Sequence, residues 1–214
     1  MGDKEGFGPI AAALALRGFA TACIEYRASD EATFPAAVLD AKSAVKWIKM
    51  NADKYKFDSL AIGVIGGSAG AHLAVLLGVS SSVSLLNPSE NSNDYTVQAV
   101  VGMATPIDFK VAGGGAVVKW LGKTYEEDDE LWSTASPVSY IDNNSPPMLL
   151  MHGTSDNVVP LEQSLLAVEK LGEAGVYAEL IFIPGAPHPF WNFKEWFNFT
   201  MDKAASFFHE QLNK

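Results

Sequence analysis

Cysteine is almost absent: the 214 residues hold one, Cys23. A single thiol excludes an internal disulfide framework and a cysteine-based zinc cluster. No basic or histidine residue sits beside Cys23, so it is expected to pack as a small buried hydrophobe rather than act as a nucleophile. Positive charge is scarce as well. Lys and Arg total 15 against 25 Asp and Glu, a formal net charge of −10. Such a chain repels phosphate backbones, which argues against nucleic acid as a partner. Apolar runs are far shorter than the ~20 residues of a membrane-spanning helix. Residues 1–8 have no basic stretch leading into an apolar core, so no signal peptide is visible and the chain reads as cytoplasmic. The longest acidic run, residues 126–130, reads as a solvated loop or helix start.

What is present is a globular composition, with 48% apolar residues. That suits one sizeable core, and residues 1–214 read as a single catalytic domain without repeats or linkers. Short apolar runs bounded by turn residues predict strands at 19–26, 60–66, 97–103, 146–152 and 176–183. Helical spacing predicts helices at 7–17, 35–52, 68–77, 161–171 and 191–212. Residues 80–95, rich in Ser and Asn, read as a mobile surface loop, and 106–137 as irregular. Cys23 falls within the first predicted strand. Strands that are apolar throughout and alternate with helices imply an α/β fold with a mostly parallel sheet covered on both faces. Ligand sites of such sheets lie beyond the carboxyl ends of the strands.

The strongest chemical signal is Gly66-Gly67-Ser68-Ala69-Gly70. It is a G-x-S-x-G stretch directly after a predicted strand and before a predicted helix. A serine on that sharp turn projects its hydroxyl above the sheet and faces the free N–H groups of a helix start. A serine hydroxyl needs a base to act as a nucleophile. Of the four histidines, His72 lies inside the helix after Ser68, His152 ends a strand, and His209 sits in the terminal helix. His188 follows the last strand in a loop able to deliver an imidazole, and is the expected base. A carboxylate must hold that imidazole's tautomer. Asp156, after the fourth strand, is the expected acid; Asp108 and Asp142 are its rivals. The chain order Ser, Asp, His favours Asp156. Phe190 and Trp191, beside His188, read equally as pocket lining with Gly67 or as the buried start of the last helix. No metal or cofactor is implied.

The stretches YRASDEATFPAAVLDAKSAVKWI, IGVIGGSAGAHLA, SPPMLLMHGTSDNVVP and PGAPHPF resemble, in combination, α/β-hydrolase esterases related to hormone-sensitive lipase and to carbohydrate acetyl and feruloyl esterases. The resemblance spans essentially the whole chain. It implies an α/β-hydrolase fold and cofactor-free hydrolysis of small to medium carboxylic esters through an acyl-enzyme. It carries the nucleophile onto Ser68, the acid onto Asp156, the base onto His188 and one oxyanion N–H onto Ala69. A prolyl-oligopeptidase-like peptidase and a catalytically impaired binding protein on the same scaffold are the rival readings.

The sequence departs from that family at its start. No HGGG-type loop precedes the first helix, so the usual second oxyanion donor is missing; Gly113-Gly114-Gly115 lies too late to replace it. The opening residues resemble the segment just after such a loop, as though the fold were N-terminally truncated, which would leave secretion open. The strand that would carry the loop belongs between the strands predicted at 19–26 and 60–66. Without it, two remedies are expected. Those two strands pair directly, or a second copy covers the bare edge in a homo-oligomer.

Overall fold

The computed structural model describes residues 4–89 and 91–213. Four strands, β1 (Gly63–Gly67), β2 (Ala99–Met103), β3 (Met148–Gly153) and β4 (Ala178–Ile183), form one sheet in the order β1-β2-β3-β4. Every neighbouring pair is parallel and in register. Parallel neighbours need crossovers, and helices supply them. The principal helices are α1 (Lys4–Ala15), α2 (Ala36–Met50), α4 (Ala69–Val79), α8 (Leu161–Glu173) and α9 (Lys194–Leu212). Shorter ones are α3 (Ala52–Tyr55), α5 (Phe109–Ala112), α6 (Gly115–Leu121) and α7 (Asp129–Thr134).

The period of two in β2 and β3 sorts the core into two layers. Val101, Met103, Leu149 and Met151 point to the face covered by α1 and α9, where they meet Leu14, Met201 and Phe208. Val100, Met148 and Leu150 point to the other face, against residues of α2, α4 and α8 such as Val45, Val75 and Leu171. Both faces of the central strands are therefore dry, as their continuous apolar runs require.

Four of the five predicted strands are present, each with bounds shifted by a few residues. The one predicted at 19–26 is not. Among the described residues this segment has no strand partner, and residues 20–25 are exposed. Cys23 is exposed with them, not buried. The direct pairing of this segment with β1 is not made. An open groove of about 1060 Å³ lies between them, walled by Ile10, Leu14, Ile24, Val45 and Leu77. An apolar run is a strand only where a neighbouring strand shares its backbone hydrogen bonds, and among the described residues none is paired with this one.

Two further expectations change. Residues 106–137 contain α5, α6 and α7 rather than being irregular. The acidic run does start a helix, with Asp128 accepting a hydrogen bond from the Leu131 N–H. Segment 80–95 is tied down rather than loosely draped: Leu86 and Tyr95 are fully buried in it. Its anchor is Lys42 on α2, itself fully buried, whose Nζ donates to Ser80 O and Asn87 Oδ1 at 2.7 Å each. No carboxylate takes part in these two contacts.

Burial lowers the Lys42 pKa from 10.5 to about 7. Between those values the unfolded chain holds a proton that the folded chain has released, so the contribution of Lys42 to stability rises with pH across this window. Denaturant unfolding of the wild type and of Lys42→Met at pH 7 and at higher pH checks the sign. The wild type is expected to gain stability relative to the variant as pH rises; a difference that stays constant would contradict it.

Candidate active site

β1 runs straight into Ser68, whose φ of 55° and ψ of −119° lie outside the regions open to an ordinary L-residue. The strain is held from both sides. The Ser68 N–H donates to Met103 O at 2.8 Å, and the Ser68 carbonyl accepts from the His72 N–H of α4. The turn is also too tight for side chains around it. A Cβ on Gly66 would lie 2.2 Å from Gly70 O, and one on Gly67 would lie 2.6 Å from the Trp191 ring. The two glycines are thus required by close approach, not by loop flexibility.

His188 reaches Ser68 from the loop after β4. Its Nε2 lies 2.8 Å from Ser68 Oγ, and its Nδ1 lies 2.7 Å from Asp156 Oδ2. A carboxylate only accepts, so Nδ1 carries the hydrogen and bare Nε2 accepts the serine O–H. The His188 side chain is 13% exposed and that of Asp156 2%. The Trp191 ring stands edge-on to the imidazole, with centroids 5.7 Å apart.

Asp156 sits on the loop after β3, and its other oxygen is occupied too. Oδ1 accepts the N–H groups of Val158 and Val159 at 2.8 and 3.0 Å. The rival carboxylates are engaged elsewhere. Asp108 caps α5 through the Lys110 N–H, and Asp142 accepts from the Asn144 N–H in its own turn.

The remaining histidines are accounted for by packing. His72 is buried in α4, stacks on Phe109 with centroids 4.4 Å apart, and donates from Nε2 to Ala135 O. Burial depresses its pKa to about 4, so it stays neutral. His209 is exposed and bonds Arg17 O. His152 is fully buried beside Asp156, bonded to Ser164 and Val159.

Ala69 opens α4, so its N–H lacks a partner within the helix and belongs to the positive end of that helix. Trp191 and Gly67 line the groove beside Ser68, whereas Phe190 is fully buried in the core and does not. Nothing in the sequence separates those neighbours; the turn at Pro189, between His188 and Phe190, decides which ring faces the site. Among the described residues no group of three or more His, Cys, Asp or Glu could hold a metal ion, and no helix is long and apolar enough to cross a membrane.

Comparisons with known proteins bear on the family and the fold. The BD-FAE family model matches residues 1–171, a range that holds Ser68 and Asp156 and ends before His188. Esterase LipQ of Mycobacterium tuberculosis is 33% identical over 193 residues, 85% of this chain and 45% of its own length. Esterase LipC of the same organism is 32% identical over 191 residues, 83% and 46%. The chain thus spans about half the length of the curated relatives it matches. Among solved structures, a truncated form of a carbohydrate esterase from gut microbiota superposes with a TM-score of 0.84 at 30% identity, covering 96% of this chain and 78% of that one. Thermogutta terrifontis esterase 2, phosphoramylated by tabun, has a TM-score of 0.84 at 28% identity, covering 98% and 78%.

Gly66→Ala tests the tight turn without touching any polar side chain. Its Cβ meets backbone, which cannot rotate away, so a loss of about 1–3 kcal/mol in unfolding free energy is expected. Denaturant unfolding measures it. A variant as stable as the wild type would mean that the turn has room the distances deny.

Proposed function

The chain belongs to the BD-FAE family of α/β-hydrolases, and we propose that it is a serine esterase hydrolysing small to medium carboxylic esters through an acyl-enzyme on Ser68. The observation that carries the reading is the hydrogen-bonded series from Ser68 Oγ through His188 to Asp156 Oδ2, at 2.8 and 2.7 Å. In the proposed mechanism Ser68 attacks the ester carbonyl while His188 Nε2 takes its proton. The developing oxyanion is met by the Ala69 N–H at the head of α4. The alcohol departs with the proton held by His188, and water repeats the sequence on the acyl-enzyme. Asp156 keeps the hydrogen on Nδ1 throughout and stabilises the imidazolium. The esterase names of the relatives and the organophosphorus adduct of the Thermogutta enzyme support an activated serine in this chain.

The open side of β1 supports a second proposal, a homo-oligomer in which another copy covers that edge. Alternate backbone groups of β1 turn away from β2 toward the groove, and such edges attract a further strand. Light scattering is expected to give a mass above that of one chain; a monomer overturns it.

Substitution tests the chemistry. Ser68→Ala is expected to lower kcat by on the order of 10⁶ and to abolish labelling by an organophosphonate, with the fold retained. Asp156→Asn is expected to cost roughly 10⁴ in kcat, whereas Asp108→Asn stays within a few-fold. Undiminished turnover by folded Ser68→Ala overturns the nucleophile, and the reverse ranking of the two aspartates overturns the acid.

A further inference from the structure

We infer that His152 is a positioning residue for this site: its Nε2–H donates to Val159 O in the acid's own loop, and its ring, 3.4 Å from Asp156 Oδ2, backs the carboxylate that His188 needs. The inference rests on the reading of Asp156 as the acid, and begins from a count of donors. Asp156 is all but excluded from water, with 2% of its side chain exposed. Its Oδ1 has the Val158 and Val159 N–H groups, and its Oδ2 has His188 Nδ1. The remaining neighbour of Oδ2 is His152 Nε2 at 3.4 Å, which also lies 3.0 Å from Val159 O. A carbonyl only accepts, so the hydrogen sits on Nε2 and is donated to Val159 O, with Asp156 Oδ2 in electrostatic contact beside it.

The opposite nitrogen supports the same tautomer. His152 Nδ1 lies 2.7 Å from Ser164 Oγ, whose hydroxyl donates to the bare nitrogen. Ser164 stands in α8 and is fully buried. His152 therefore links the end of β3, the acid's loop at Val159 and helix α8. The charged or titratable groups that face its ring are Asp156 in that loop, His188 from the loop after β4 and Glu162 on α8. Burial holds its pKa below the usual histidine value, so at neutral pH it acts as a neutral donor rather than a second cation.

A purely structural histidine would serve Val159 and Ser164 alike, and its loss would lower stability without altering the His188–Asp156 pair. A positioning residue predicts more. Without the His152 ring the Val159 carbonyl loses its donor and the acid's loop is free to shift, so the Asp156 carboxylate no longer stays where His188 Nδ1 meets it. The Nδ1–H proton of His188, strongly deshielded by its bond to Asp156, is thus expected to move upfield in His152→Phe. His152→Gln places an amide N–H near the lost Nε2–H and is expected to bring the signal back. Ser164→Ala leaves the ring in place but loosens it, and is expected to shift the signal in the same direction by less.

Proton NMR of the downfield His188 Nδ1–H signal in the wild type and the three variants, at one fixed pH, reads this directly, with ester turnover measured in parallel. With turnover, kcat is expected to fall about tenfold in His152→Phe at unchanged KM, as a small misplacement of a catalytic group does. A signal that stays put in folded His152→Phe overturns the inference. Should His152→Phe not fold, an unmoved signal in Ser164→Ala does so instead. A wild type without turnover defeats the proposed esterase and leaves the NMR comparison to decide the role of His152.

Discussion

The in-register parallel pairing of four strands is the constraint on which the site depends. Parallel alignment puts all the carboxyl ends at one edge, so the residues after β1, β3 and β4 emerge side by side although 88 residues separate Ser68 from Asp156 and 32 separate Asp156 from His188. Each loop is short and tied to its neighbours. Ser68 N–H bonds the end of β2, Thr154 N–H bonds Ile183 O of β4, and Ser155 N–H bonds Ala186 O. A one-residue slip of any pair would reverse the faces of a dry strand and move its loop by a residue length. Core burial and site geometry therefore protect the same register.

That dependence explains why the site was more legible in the sequence than the edges of the fold. Ser68, Asp156 and His188 could be chosen from residue type, position after an apolar run, and chain order. The first two criteria are local, and the third needs only the order of three residues along the chain. The glycine at 66 pointed to a tight turn, and the distance to Gly70 O shows what makes it tight. What local reading missed depends on partners distant in sequence. Residues 19–26 have the composition of a strand, but pairing is a property of two segments, and among the described residues no strand pairs with this one. Segment 80–95 has the composition of a loose loop, yet it is fastened by a lysine 38 residues before Ser80. Buried lysines are uncommon enough that no periodicity argument would propose one. Phe190 and Trp191 are adjacent and chemically alike; both pack in the core, and of the two only Trp191 also reaches the groove.

The groove beside β1 and the reactive serine are two sides of one arrangement. α4 packs on β1 and β2 and aims its N-terminal N–H groups at Ser68. α1 and residues 19–26 stand off on the far wall, leaving apolar side chains facing a space of about 1060 Å³. Apolar surface of that extent on both walls is unfavourable in water. Yet the groove does not loosen what lies beyond it, because Ser68 is held from the β2 side through Met103 O and from its own helix. The elbow keeps its strained backbone without help from the open side.

Asp156 shows the same economy at the level of one carboxylate. Two backbone N–H groups fix Oδ1, so the side chain cannot rotate without giving up both. Oδ2 is then left aimed at a point that His188 approaches from the loop after β4 and His152 from the end of β3. The same three-residue turn that supplies the two N–H groups also ends in Val159, whose carbonyl takes the His152 hydrogen. The acid's orientation is thus set by hydrogen bonds within its own loop, and that loop is tied in turn to the end of β3 through His152. A network of this kind resists small rotations far better than one bond does, because each member's geometry is fixed by the others. For a base whose nitrogen must stay within bonding distance of a serine on another loop, that rigidity matters more than the strength of any single contact.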